Sequence, residues 1–375
     1  MTAVAALRIA GHPLILADLL LSGPVEPDRV TTLPSVEVAF RNAPSGYQGP
    51  IGLCQKIAIV ADNLVIGWAG KRTTAMDFVG ELRLRCEHDY FDAQRLREYI
   101  NMQSASTWSE IRFAGFVSYA EDLSLGESSA SIMADSFGLA SDQILTPTIG
   151  KAFVIGSGRE LLIDYLKQVY QDPPNIESDP NLAVQAVLHG TSTIGDFLTM
   201  EQFARESLDE AFGGGYELAV ASHGEFIKLN VLYVFWRGWV SDDHKNFSLY
   251  DYPFLLFRYE YFDDLLVIRT IAMQEPADKP IPQESIFKVP PVYRFLTAEE
   301  ESTCPRPPLK TEWTCNFVQV ILPDGKWKTI TLMGHKSDWL EFNEENGQVV
   351  GMSYSNDFRH KINQCVKELL VERET

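Results

Sequence analysis

Thr2-Ala-Val-Ala-Ala-Leu-Arg-Ile-Ala-Gly-His-Pro-Leu-Ile-Leu-Ala-Asp18 opens the chain's regular structure. Its apolar residues fall into two short pieces on either side of Gly11-His12-Pro13. Pieces of that length around a turn read as a buried β-hairpin, with strands over 2–10 and 14–20. Ala3–Leu21 is apolar enough to suggest a secretory leader, but no basic segment precedes it. Arg8 lies inside it and Asp18 sits in its second half, both of which argue against export. The expectation is a cytoplasmic protein whose first strand begins at residue 2.

From this hairpin the pattern extends in both kinds of element. Residues 23–55 are rich in Pro, Gly, Ser and Asn and read as a long loop, with a short strand at Val36–Phe40. Lys56–Val60 and Leu64–Trp68 are β-rich and are separated by Asp62-Asn63, a strong turn pair. Helical spacing covers Thr73–Leu84 and Asp92–Met102, and Gly156-Ser157-Gly158 opens a helix that runs to Tyr170. Gly213-Gly214-Gly215 marks a tight turn before a strand at Tyr216–Ser222. Three more β-rich runs follow, Ile227–Gly238, Phe254–Tyr261 and Leu265–Met273. Residues 275–309 carry eight prolines and read as an irregular linker. A hairpin about Pro323-Asp324-Gly325 and a helix over Asp357–Glu372 end the chain. The expected domains are 1–275, a Pro-rich linker over 276–310, and a small α/β module over 311–375.

Composition narrows the function. The 375 residues are 45% apolar with a formal net charge of −19. Such a surface repels phosphate backbones and anionic lipid, so nucleic acid and membrane are not expected partners. No apolar run reaches the roughly 18 residues that span a bilayer. Five cysteines at spacings that fit no zinc motif read as idle thiols in a reducing compartment. Neither a metal nor a cofactor is expected.

Thr2 is the residue with the clearest chemistry. Initiator methionine is usually trimmed before so small a residue, which would give Thr2 a free amine. A hydroxyl is a weak nucleophile unless a base takes its proton, and the amine of the same residue can act as that base. An α-amino pKa of about 7.7–8 lies near working pH, and a neighbouring lysine would lower it by like-charge repulsion. A carboxylate would hold the lysine, and a glycine-turn N–H would receive the oxyanion.

The chain supplies those types in order, at a spacing that resembles proteasome β-subunits and the bacterial HslV peptidase. The resemblance lies in the Thr2–Asp18 stretch, in Lys56-Ile-Ala-Ile-Val-Ala-Asp-Asn-Leu-Val-Ile-Gly-Trp-Ala-Gly70, in Gly156-Ser157-Gly158 and in the Gly213–Gly215 turn. It covers about residues 2–240. It implies an α+β fold of the N-terminal-nucleophile hydrolase kind, a four-layer α-β-β-α sandwich, here with a small C-terminal α/β appendage. It implies a threonine-type peptidase in which Thr2 is nucleophile and base, Asp18 and Lys56 tune the amine, and the Gly70 N–H forms the oxyanion hole. Ser157 would assist proton exchange, Glu210 or Asp209 would be the acid of the last loop, and Ser22 and Gly70 would meet substrate. Peptide or protein substrates, a homo-oligomeric ring and an ATPase partner are further implications. Gly213 stands where the proteasome branch has a serine, and the loop between Asp18 and Lys56 is longer than the family's.

Two other functions fit the same residues. A catalytically inactive scaffold or interaction subunit would account for Gly213, the long loop and the extra C-terminal region. An amidase acting on a small molecule would share the chemistry but not the substrate. Each site residue also has an ordinary structural reading: Asp18 as a cap, Lys56 as a solvated strand end, Ser157 as a helix cap, and Asp209 and Glu210 as solvated helix-end charges. Cys86-Glu87-His88-Asp89 groups metal-capable types, but adjacent side chains point apart.

Overall fold

A computed structural model describes residues 2–9, 12–24, 31–39, 48–89, 91–118, 129–134, 142–146, 149–170, 182–203, 212–222, 225–241, 246–274, 281–336, 338–345 and 348–371. The chain divides into two compact units. The first comprises Met1–Leu229, Asp263–Leu266 and Val289–Ser302, and the second Asn230–Phe262, Val267–Lys288 and Thr303–Thr375.

In the first unit the elements run β1 (Val4–Ile9), β2 (His12–Asp18), β3 (Leu20–Pro24), β4 (Thr31–Leu33), β5 (Val36–Ala39), β6 (Gln48–Leu53), β7 (Ile57–Ala61) and β8 (Leu64–Gly70). Then come α1 (Arg72–Cys86), α2 (Ala93–Met102), α3 (Ala105–Glu110), β9 (Ile111–Ser118), β10 (Ser129–Ala134), β11 (Asp142–Thr146) and β12 (Gly150–Ile155). Last are α4 (Arg159–Val169), α5 (Leu182–Phe203), β13 (Tyr216–Ser222) and β14 (Glu225–Lys228). One sheet has the order β11-β12-β1-β2-β13-β14, and a second has β10-β9-β8-β7. β1 and β2 are central strands, paired from Val4↔Ala17 to Ile9↔His12, and β2 is buried throughout. A strand covered on both faces reads as a continuous apolar run, which is why Leu14–Ala17 shows no alternation. Val4, Ala6, Ile15 and Ala17 share one core with Val65, Ala114 and Phe116 of the second sheet. Phe78, Val79 and Leu82 of α1 pack with Leu96 and Tyr99 of α2 and with Trp68 and Phe113.

The second unit is built on β15 (Val231–Val240), β16 (Phe247–Leu249), β17 (Leu255–Phe262), β18 (Leu265–Gln274), β19 (Ile281–Val289), β20 (Trp313–Ile321) and β21 (Trp327–His335). These form a seven-stranded sheet of order β19-β18-β17-β15-β20-β21, with β16 on β15. The hairpin β22 (Leu340–Glu345) and β23 (Gln348–Tyr354) and the helix Asn356–Val371 follow. Trp236, Val318, Val320, Phe358 and Ile362 belong to this unit's core.

The expected four-layer α-β-β-α sandwich with a small appendage is therefore corrected. The structure is mostly β-sheet, 47% strand against 29% helix, with several antiparallel sheets and seven helices among the described residues. The physical reason lies in the runs after residue 230. β15 pairs in parallel with β20 over nine positions, Val231↔Trp313 to Trp239↔Ile321, so these strands build their own sheet and core. Part of the segment read as an irregular linker is the strand β19.

Candidate active site

Thr2 stands just before β1 and is buried, at 2% exposure. It lines a cavity of about 400 Å³ together with Gly70, Ile111, Gly156 and Ser157. Three backbone segments fix it there. The Thr2 N–H donates to Ser157 Oγ at 3.1 Å, and the Gly158 N–H donates to the Thr2 carbonyl at 3.1 Å. Ala3 N–H donates to Asp18 Oδ1 at 2.9 Å. Gly156 has φ of +102°, and a Cβ there would lie 2.6 Å from the Thr2 carbonyl carbon. Only glycine lets the loop pass this close to Thr2 in that conformation. Gly70, at the end of β8, has φ of +116° and turns the chain beside the same cavity.

Ser157 does not cap α4. Gly158 occupies the N-cap with no side-chain cap bond, and the Ser157 hydroxyl faces Thr2 instead.

Asp18 and Lys56 lie behind the cavity wall, at 0% and 1% exposure. Asp18 Oδ2 accepts from Leu20 N–H and Gly213 N–H, both at 3.1 Å, so the carboxylate gathers three backbone amides in all. Burial raises the Asp18 pKa, against the lowering effects of the Lys56 charge and of these amide bonds. Lys56 Nζ donates to the Leu20 carbonyl at 2.7 Å and lies 4.7 Å from the centre of the Trp68 ring. Burial lowers its pKa, and the Asp18 charge is the largest influence in the other direction. Asp18 is thus no surface cap and Lys56 no solvated strand end.

Ser22 sits in β3, opposite Pro50 of β6, and does not line the cavity. Glu210 and Asp209 lie outside the described residues. Among the described residues no group of three or more His, Cys, Asp or Glu could hold a metal ion, so the Cys86–Asp89 run forms no such site. Cys86 is a free thiol.

Sequence reading missed two acids. Glu201, near the end of α5, is fully buried, accepts from Gly214 N–H at 3.1 Å and accepts the Tyr216 hydroxyl. It therefore holds the amide next to the one that Asp18 holds. Glu217 of β13 takes the N–H groups of both Lys56 and Ile57 on one oxygen. The available signal was weak: an acid at an apolar position of a helix or strand, with its partner far along the chain.

Burial pushes the Glu201 pKa up to about 7 from 4.5, with the Asp18 charge adding to it and the Gly214 and Tyr216 bonds opposing it. The sign follows from linkage. Between pH 4.5 and 7 the folded state keeps a proton that the unfolded state has lost, so stability falls as pH rises through that window and then levels off. The full contribution of this group is about 3 kcal/mol. Urea unfolding of Glu201→Gln against the parent should diverge across that window, the variant lacking this part of the decline. Superimposable pH profiles would refute the assignment.

No family model matches the chain, and no curated protein matches it.

In the described residues no helix is long and apolar enough to cross a membrane.

Proposed function

We propose that this protein is an N-terminal-nucleophile amidohydrolase of the threonine type, acting once Thr2 is the first residue. The observation that carries the reading is a single cluster. Thr2 lines a cavity beside two positive-φ glycines, with Ser157 on its nitrogen and Asp18 on the next amide. The Thr2 hydroxyl oxygen attacks the carbonyl carbon of an amide bond, and its proton passes to the Thr2 amine. The C–N bond breaks as that proton moves to the departing nitrogen, leaving an ester on Thr2. Water then attacks the ester with the amine again as base, which releases the acid and restores the hydroxyl. Asp18 connects the parts: it fixes Ala3 immediately after the nucleophile and interacts with the Lys56 charge. The scaffold alternative shares this architecture but needs no free amine.

Mass spectrometry of the purified protein, with and without a carbonyl-directed electrophile such as an epoxyketone, tests the reading. We expect a mass lacking Met1 and one adduct, mapped to Thr2. Retained Met1 with no Thr2 adduct would overturn it in favour of the scaffold.

A further inference from the structure

We propose that the Thr2 cavity selects acyl groups bearing a carboxylate, recognised by Arg112 and Arg159; this rests on the hydrolase reading above. Both arginines are among the residues lining the cavity. Their places in the fold bring them to it from two sides. Arg112 is the register partner of Ala69, one step from the Gly70–Ile111 pair. Arg159 is the first residue of α4, two positions after Ser157. Both are half-buried, so their stems lie against protein while solvent and ligand can reach part of each side chain.

The remaining charge at the cavity is Glu110, and its carboxylate is engaged from outside the cavity. Lys71 Nζ lies 2.8 Å from one oxygen, and the Thr74 hydroxyl donates to the other. These contacts hold the Glu110 pKa below its ordinary value, so it remains an anion already served by donors of its own. The cavity wall therefore carries two guanidiniums against one neutralised carboxylate, in a chain whose formal net charge is −19. A local excess of cation in so acidic a chain is a selective feature of the cavity. A guanidinium presents five N–H donors in a planar fork, so bonds to protein neighbours leave donors for a ligand. That fork matches a carboxylate in two-point geometry and in charge. A volume of about 400 Å³ suits one side chain with its flanking backbone, or a small acid amide.

The test uses full-length protein and four chromogenic anilides. Three are peptides with Glu, Leu or Lys donating the acyl group, and the fourth is glutaryl anilide, which carries the carboxylate without a peptide. We expect kcat/KM for the Glu peptide or the glutaryl compound to exceed that for the Leu peptide about tenfold or more, with Lys slowest. A preference for the glutaryl compound over the Glu peptide would point to small acid amides, and the reverse to acidic peptides; both support the proposal. Arg112→Glu and Arg159→Glu, checked for folding by retained Leu-peptide hydrolysis, should move the preference towards Lys. Should a charge-reversed chain fail to fold, Arg159→Gln should still reduce the Glu-over-Leu ratio about tenfold. Cleavage that is indifferent to charge or favours Lys, with Thr2 still labelled by the electrophile, would overturn carboxylate selection and leave the hydrolase reading standing. Absence of both cleavage and the Thr2 adduct would instead bring down the hydrolase reading and this proposal with it.

Discussion

Thr2→Ala is expected to abolish amide hydrolysis and electrophile labelling together while leaving the fold intact. The substitution deletes the hydroxyl and one methyl but keeps a small second residue, so removal of Met1 proceeds as before. Nucleophile deletion in a hydrolase that works through an acyl intermediate lowers kcat by about 10⁴-fold or more. The stability cost is small by comparison, about 1 kcal/mol for a side chain this size at a buried strand start. The backbone bonds that fix the residue do not involve its side chain: the N–H to Ser157 and the carbonyl to Gly158 both survive. Thr2→Ser supplies the control, since it keeps the hydroxyl and should retain activity within about two orders of magnitude. Turnover and adduct formation should be measured on all three chains beside a thermal melt. Thr2→Ala protein that is folded and labelled at the parent rate would remove Thr2 from the chemistry.

The geometry around Thr2 also explains how much could be read in advance. Local features were legible. The β1–β2 hairpin follows from two apolar pieces around a turn, and the Asp62-Asn63 pair does form the turn between β7 and β8. The grouping of Thr2, Gly70 and Ser157 at one cavity depends on strands whose order the sequence suggested. What was not legible were long-range choices. An apolar run announces a strand but not its partner, and β15 finds β20 some eighty residues later, in parallel, which is why the sandwich expectation failed. Buried acids were hidden for a related reason. Glu217 stands in β13 with nothing nearby in sequence to mark it, because its amide partners are 160 and 161 residues away. Attention to the glycine turn pointed at Asp209 and Glu210, whereas the acid that reaches Gly214 comes from within α5.

Glu217→Ala is the structural substitution with the largest expected cost. The carboxylate is 1% exposed and serves three donors. Oε1 accepts from Lys56 N–H and, at 2.6 Å, from Ile57 N–H, while Oε2 lies 2.8 Å from Lys228 Nζ. Lys228 in turn binds the Gln55 side chain, whose Nε2 donates to the carbonyls of Asp264 and Val289. Alanine strands two buried amides and leaves an ammonium that is 11% exposed without its counter-charge. Breaking one side of such a buried pair costs about 3–5 kcal/mol. Glu217→Gln keeps an acceptor for the two amides and loses only the charge, so it should cost about 1–3 kcal/mol. Removing the stranded cation as well, in Glu217→Ala with Lys228→Met, should recover part of the loss, and a double-mutant cycle measures how much. The consequence for chemistry runs through the backbone of Lys56, which Glu217 clamps at the entrance to β7. If Lys56 lowers the pKa of the Thr2 amine, loosening that clamp moves the acidic limb of the kcat/KM profile towards higher pH, nearer the ordinary α-amino value of about 7.7–8. A purely structural role would lower stability without shifting that limb, and a shift shared by Glu217→Ala and Lys56→Met but absent from destabilising changes elsewhere ties Glu217 to the position of the lysine.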